Sequence, residues 1–256
     1  MVMTGVEISL LDVKKLSYLL VEGYWQVSVV DEIESTQTYL TTKNPMHGEV
    51  IAAEFQRAGR GRLDRSFDAQ KSKSLLFSFY VEPKRSRSEW GWIPLIAGMA
   101  VESVLNRQKN IFFTKWPNDV LVSASPANGK VAGILSETHS EGVVVGIGIN
   151  VAMNFNEIPV PTATSLAMNE IPELDRNFYL AEVLKEFAKL LSAWEKFEDL
   201  SERYAERSST IGLTVEVHGL DGKIESGKAT GIGPGGELIL EGERHIYSGD
   251  VIHLYT

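Results

Sequence analysis

Residues 111–151 read IFFTKWPNDVLVSASPANGKVAGILSETHSEGVVVGIGINV. Four runs inside this stretch, 111–115, 120–122, 131–137 and 143–151, are rich in β-branched and aromatic residues and are parted by turn formers, which is the pattern of short strands. Residues 118–131 then predict a hairpin with SPANG at its tip, and Glu141–Gly142 turns a second one. Reading outward, 27–31 (VSVVD), 50–55 (VIAAEF) and 75–81 (LLFSFYV) add further strands. Ser35 is a candidate N-cap for a helix after ESTQTYL. A second helix, apolar enough to be buried, is predicted from Ile93 to Gln108. A longer helical region runs from Asp175 to Arg207, where Leu180, Leu184, Phe187, Leu191, Trp194 and Phe197 recur every three or four residues and form one face for core packing. One unbroken helix of that length is unusual, so a break inside it is expected. From Ser208 onward the texture changes to strands of four to six residues between Gly-rich turns, which predicts a small all-β, barrel-like unit.

Composition limits what such a fold does. The chain has 256 residues, 43% hydrophobic and 23% charged, with 34 acidic residues against 25 basic ones and a formal charge of −9. Affinity for the nucleic-acid backbone needs broad positive surface, so a general nucleic-acid binder is not expected. There is no cysteine, which excludes disulfides, thiolate metal sites and a thiol nucleophile. The opening MVMTGVEISLLDVKK lacks the basic and apolar regions of a secretory leader. The longest apolar stretches, Trp92–Val101 and Val143–Val151, are too short to span a bilayer. A soluble, cytoplasmic protein without membrane contact is the expectation.

Four short stretches carry candidate chemistry. In RAGRGRLDRSF (57–67), Arg57, Arg60, Arg62 and Arg65 are interleaved with Gly59 and Gly61. Glycines oppose a helix here and let backbone N–H groups approach a ligand, while arginine forks match phosphate or carboxylate oxygens. The stretch reads as a loop that awaits an anion; the plainer alternative is a solvated basic loop. In TKWPNDVLV, Pro117 fixes a turn that presents Asn118 and Asp119. In NGKVAGILSE the Gly-Lys pair is not a phosphate loop, because Ala124 and Val131 stand where that motif needs glycine and a hydroxyl residue. Lys130 is either a hairpin-tip lysine or a ligand contact. GIGIN lacks the third glycine of a dinucleotide fingerprint, but Gly146 and Gly148 alternate along a strand and clear one face for a ligand. Asn150 is expected at the opposite or terminal edge, with an amide able to read a base. Histidines 47, 139, 218, 245 and 253 show no ligand spacing, so no protein metal site is expected.

Taken in order, ESTQ, QRAGRGRLDRSF, KWPNDV, KVAGIL and GIGINV closely resemble the biotin protein ligase family. The resemblance implies an α+β fold: a catalytic domain over residues 1–208, built on a mixed β-sheet flanked by helices and similar to class II synthetases and lipoate ligases. A small SH3-like β-barrel would occupy 209–256. It further implies that Ser35, Thr36, Gln56 and Gly59 hold the ureido and ring atoms of biotin, and that Gly133 lines the biotin slot. Arg60 and Arg62 would belong to a loop closing over biotin and the phosphates, with Arg65 and Phe67 also on the adenylate side. Lys130 would contact the biotin carboxylate and the α-phosphate. Asn118 and Asn150 would read adenine, and Asp119 would lie near the entry of the acceptor lysine. The catalytic set is then Lys130, Arg60, Arg62 and Asp119.

The implied activity is ATP-dependent attachment of biotin to a lysine of a biotin carboxyl carrier protein, through biotinyl-5′-AMP, with Mg²⁺ arriving on ATP. Two positions depart from the commonest pattern: Asp64 stands for Gly, and Phe67 for Trp. Gly233 also replaces a frequent Asp near the C-terminus. A lipoate or octanoate ligase shares the fold, but its RRxSGGGAV stretch is absent, and a non-catalytic biotin- or nucleotide-binding regulator is the rival of another class. Some relatives carry an N-terminal winged-helix repressor unit. Only about 24 residues precede WQVSVVDEIEST, and Leu10, Val13, Leu16 and Leu20 fit one helix, so no DNA binding is expected. A homodimer is allowed for.

Overall fold

The computed structural model describes residues 9–21, 24–63, 65–123, 127–219 and 222–254. Asp64 and part of the SPANG tip lie outside these residues. Seven strands form one mixed sheet: β1 (Gln26–Ile33), β2 (Glu49–Gln56), β3 (Ser74–Val81), β4 (Phe112–Lys115), β5 (Asp119–Val122), β6 (Gly129–His139) and β7 (Gly142–Asn150). Their order is β1-β2-β3-β7-β6-β5-β4; β1 and β2 run parallel and every other neighbouring pair is antiparallel. β3, the third strand in the order, is buried throughout.

One face of the sheet packs on α3 (Trp92–Asn106) and α4 (Arg176–Glu195), which contact each other. α3 is apolar on nearly every side and is buried accordingly. In α4 the stripe of Leu180, Leu184, Phe187, Leu191 and Trp194 is buried. Phe197 is not part of it. The helix stops at Glu195, Phe197 takes a left-handed φ of 65°, and its ring is 76% exposed. The expected break thus falls just before α5 (Ser201–Glu206). α1 (Val13–Leu19) lies on β1 and α4, with Leu16 fully buried.

A buried charge pair joins this N-terminal segment to the sheet. Arg176 and Glu54 are 2.7 Å apart. The same carboxylate accepts from the Leu11 amide and the Ser72 hydroxyl. Removing one partner of such a pair costs about 3–5 kcal/mol, because the other charge is left buried and uncompensated.

The opposite face carries the short helix α2 (Thr36–Thr41) over a small cluster of Leu40, Ile51, Tyr80 and Val144. Beside α2 this face is left open, and that opening is the candidate site. The C-terminal residues form a second, antiparallel sheet of five strands: β8 (Thr214–His218), β9 (Ile224–Ile232), β10 (Leu238–Leu240), β11 (Arg244–Ile246) and β12 (Asp250–His253). Its order is β11-β10-β9-β8-β12, consistent with the SH3-like unit expected, with β11 and β12 as its edges. Two buried tryptophans, one at the start of α3 and one between β4 and β5, tie it to the first unit: the indole N–H of Trp92 donates to Gly233 O and that of Trp116 to Gly236 O, each at 3.1 Å. Gly91 meets Gly235 and Gly236 backbone to backbone: a Cβ on Gly91 would overlap Gly235 O, and one on Gly236 would overlap the Gly91 carbonyl.

Candidate functional site

The open face of β3, β6 and β7 forms a cleft of about 470 Å³. Side chains on a strand alternate between faces, so Leu76 and Ser78 of β3 share the cleft face with Gly146 and Gly148 of β7 and with Gly133 and Leu135 of β6. The register agrees: Gly148 faces both Leu76 and Gly133, and Gly146 faces both Ser78 and Leu135. Glycines at 133, 146 and 148 lower the floor and make a slot between taller walls.

Strict alternation would send Lys130 to the other face, with Ala132 and Ile134. A β-bulge prevents this. Asp119 pairs with Gly133 and Val120 with Ala132, but Leu121 pairs with Lys130, so Val131 is the extra residue. A bulge re-aims the side chains on its far side. The Lys130 ammonium consequently lies over the Gly133 floor and forms an ion pair with Asp119 at 2.6 Å.

The inner end of the slot is polar. Ser35 caps α2, accepting from the Thr38 amide at 3.3 Å, a contact worth about 1 kcal/mol. Gln56 Oε1 accepts from both the amide and the hydroxyl of Thr36, at 2.7 and 2.9 Å. The Thr36 and Ser78 hydroxyls are 2.9 Å apart, and Ser78 donates to Gln37 Oε1 at 3.2 Å. These hydroxyls are buried, so the hydrogen-bonding capacity that they retain is directed at whatever fills the slot.

Expected site residues fall into two groups. Ser35, Thr36, Gln56, Gly133, Lys130 and Asn118 line the cleft, and so do Arg60, Arg62 and Phe67 of the loop. Gly59, Arg65, Asp119 and Asn150 are not in its wall. Gly59 stands behind Phe67 and accepts the Phe67 amide at 2.9 Å. Arg65 points to Asp250. Asn150 stands at the terminal edge of β7, on the same face as Gly146 and Gly148, and is buried; its amide donates to Thr164 O at 3.0 Å and its carbonyl accepts from Ser74. Asn118 keeps its place at the cleft, donating to Ile134 O at 2.8 Å and accepting from Arg62 at 3.2 Å.

The arginines of the loop also have partners within the chain, which the sequence alone did not indicate. Arg57 bonds Glu32 and Glu34. Arg60 makes a two-pronged contact with Glu137 at 2.9 and 3.0 Å. Arg65 pairs with Asp250, and Arg62 reaches Gly249 O at 3.5 Å. Burial lowers the Arg62 pKa from its ordinary value, but an arginine stays charged there. Burial likewise lowers the Lys115 ammonium, opposed by nearby Asp119.

Phe67 supplies the aromatic wall in place of the usual tryptophan. Its ring lies on Gly148, where a Cβ would come within 2.6 Å of it. Sequence reading assigned no role to Gln37, Ser78, Leu135 or Glu137. A serine inside the apolar run LLFSFYV was the available signal for Ser78. Glu137 lies two and four residues beyond Leu135 and Gly133, so strand alternation alone places it on the cleft face.

Comparison with known proteins agrees with this architecture. Residues 29–154 match the Biotin/lipoate A/B protein ligase family. A biotin–[acetyl-CoA-carboxylase] ligase of Mycobacterium tuberculosis is 35% identical over 248 residues, 91% of this chain and 90% of that protein. The bifunctional ligase/repressor BirA of Bacillus subtilis is 31% identical over 87% of this chain and 71% of its own length. Among solved structures, a biotin protein ligase from Aquifex aeolicus in complex with biotin and ATP has a TM-score of 0.76 at 30% identity, covering 90% of this chain and 99% of that one. The sheet, the glycine slot and the basic loop thus define a ligase that joins a small carboxylic acid to protein. Within that class, the chain belongs to the biotin protein ligase family.

Proposed function

We propose that this chain uses ATP to attach biotin to a lysine of a biotin carboxyl carrier protein, through a biotinyl-5′-AMP intermediate. The observation that carries the reading is the slot itself: a glycine floor, a buried polar end at Thr36, Gln56 and Ser78, and cations at its mouth. The compact bicycle of biotin fits over Gly133 and Gly146, with its ureido group against the polar end. Its carboxylate then lies toward Lys130 and Arg62. In the first step a carboxylate oxygen attacks the α-phosphorus of ATP and the bond to the β-phosphate oxygen breaks. Pyrophosphate leaves with the Mg²⁺ that entered on ATP. Two anions must meet, so the barrier is largely electrostatic, and fixed cations in a sheltered cleft lower it. In the second step the neutral ε-amine of the carrier lysine attacks the acyl carbon, the bond to AMP breaks, and the nitrogen loses a proton. Asp119, which lies behind the cleft wall and is held 2.6 Å from Lys130, is the residue we assign to orient that amine or take its proton.

Biotin-dependent exchange of labelled pyrophosphate into ATP tests the reading. Exchange with biotin, and none with lipoate or octanoate, is expected; the reverse selectivity assigns the sibling activity, and no exchange with any acid overturns a catalytic role. Lys130→Ala should fold normally and lose about a hundredfold of the exchange rate, the scale of one removed charge stabiliser.

We also place the enzyme in the cytoplasm, where ATP and carrier domains occur, and among the described residues no helix is long and apolar enough to cross a membrane. No operator binding is proposed for these residues: the chain is acidic, and α1 spends Leu16 on the core rather than presenting a free recognition face. Titration against operator and scrambled duplexes at about 0.15 M salt should show at most weak, unselective binding, micromolar or poorer. Nanomolar selectivity would contradict it.

A further inference from the structure

Glu137 has no part in the reading above, yet it is where the loop meets the sheet. Its side chain emerges on the cleft face of β6 and accepts three hydrogen bonds. Two come from the Arg60 fork at 2.9 and 3.0 Å, and one from Gln37 Nε2 at 2.9 Å. Gln37 also donates to Val144 O and accepts from Ser78. A continuous chain of polar contacts therefore runs from Arg60 through Glu137, Gln37, Ser78 and Thr36 to Gln56. At the other end, Arg60 pairs with Ser66 as a β-bridge, and the Phe67 amide bonds Gly59 O. Fixing the Arg60 side chain fixes the turn that lays Phe67 on Gly148.

We propose that Glu137 is a positioning residue for the ligation. Its carboxylate, gripped by the Arg60 fork and the Gln37 amide, holds the Arg60 and Phe67 segments of the loop against the sheet and keeps the polar end of the slot aligned. Arg60 serves as the anchor of the loop, and the charge offered to the phosphates comes from Arg62 and Lys130. This rests on the biotin-ligase reading of the cleft for its kinetic consequence, but not for its structural one. A planar guanidinium on a carboxylate gives two parallel bonds with a defined direction, which a single ammonium contact would not. Arg60 and Glu137 are both partly exposed, so solvent screening keeps the effect moderate.

The test uses Glu137→Ala, the isosteric Glu137→Gln, Arg60→Ala and the Arg60→Ala/Glu137→Ala double variant. Two measurements are made on each. The first is hydrogen exchange of the loop amides in the ligand-free protein, which does not depend on any reaction. Faster exchange at the Phe67 amide is expected in each variant. The second is pyrophosphate exchange kinetics, where the KM for biotin should rise roughly three- to tenfold, with a smaller change in kcat. Adding Arg60→Ala to Glu137→Ala should cause no further loss, since both remove one contact. Unchanged loop-amide exchange overturns the anchor. A further tenfold kinetic loss in the double variant overturns the role of Arg60, because the arginine would then be touching substrate by itself. If Glu137→Ala fails to fold, Glu137→Gln decides by the same criteria. A wild-type protein without biotin-dependent exchange strikes the functional reading, while the amide measurement still judges the anchor.

Discussion

At position 148 the chain has no side chain, and the Phe67 ring uses the space. A Cβ there would stand 2.6, 2.7 and 2.9 Å from three ring atoms, well inside contact distance. Gly148→Ala must therefore push the ring or the strand aside. Overpacking of this kind costs about 1–3 kcal/mol, and a loss of that size in the urea unfolding free energy is expected. Cutting the ring back should restore it: Gly148→Ala in a Phe67→Ala background should cost almost nothing. An equal loss in both backgrounds would show that strain in β7, not the ring, is responsible. The same contact shows what was legible residue by residue. The alternating glycines announced a cleared face, and the slot is there. What fills one end of it, the chain's own aromatic ring, depends on a loop returning from another strand, and no local pattern encodes that. Gly233 has a comparable explanation. A Cβ at this position would overlap the Glu237 carboxylate, which accepts from the Gly235 amide and pairs with His245 at 2.9 Å. The acid at this turn thus comes from four residues later in the chain.

Elements were easier to read than contacts. The seven strands of the first sheet were visible because β-branched and aromatic runs between turn formers leave few alternatives. The α4–α5 break was visible because the apolar stripe outruns a normal helix. Phe197 misled for a physical reason: it keeps the helical period by number, but the chain has already left the helix, and the ring instead stacks under Arg85 at 4.6 Å. The bulge at Val131 was not legible. Nothing in GKVAGIL distinguishes an extra residue from a paired one, and the choice is made by the short β5 that it must match. That choice decides which face receives Lys130. Arg176 and Glu54 were also passed over, since single charges at a helix start and on a strand read as solvent-facing until folding closes them together.

On the scale of the whole molecule, the two sheets meet around a group of ionisable side chains: Lys115 and Asp119 from the first, Asp250 and His253 from the second. Burial, reinforced by the Lys115 charge, holds His253 below its ordinary value of 6.5. The unfolded chain accepts a proton near that pH that the folded chain refuses. The contribution to stability is therefore fully present above 6.5 and is lost as pH falls through that value toward the lower folded one. Urea midpoints measured at pH 7.5 and pH 5.5 should fall more for the wild type than for His253→Asn. Equal falls would mean that the carboxylates alone set the acid sensitivity.

The fastening of the arginine loop also has a consequence in time. Arg60 meets Glu137 across 77 residues of chain, whereas Arg65 meets Asp250 across 185 and Arg62 meets Gly249 across 187. A ribosome adding about 5–20 residues per second delivers the second set of fasteners roughly 10–40 s after the loop itself has been made. Through most of that interval a nascent chain can hold the loop only through Glu137 and Asn118, and it completes its grip on the mouth of the slot when β12 emerges.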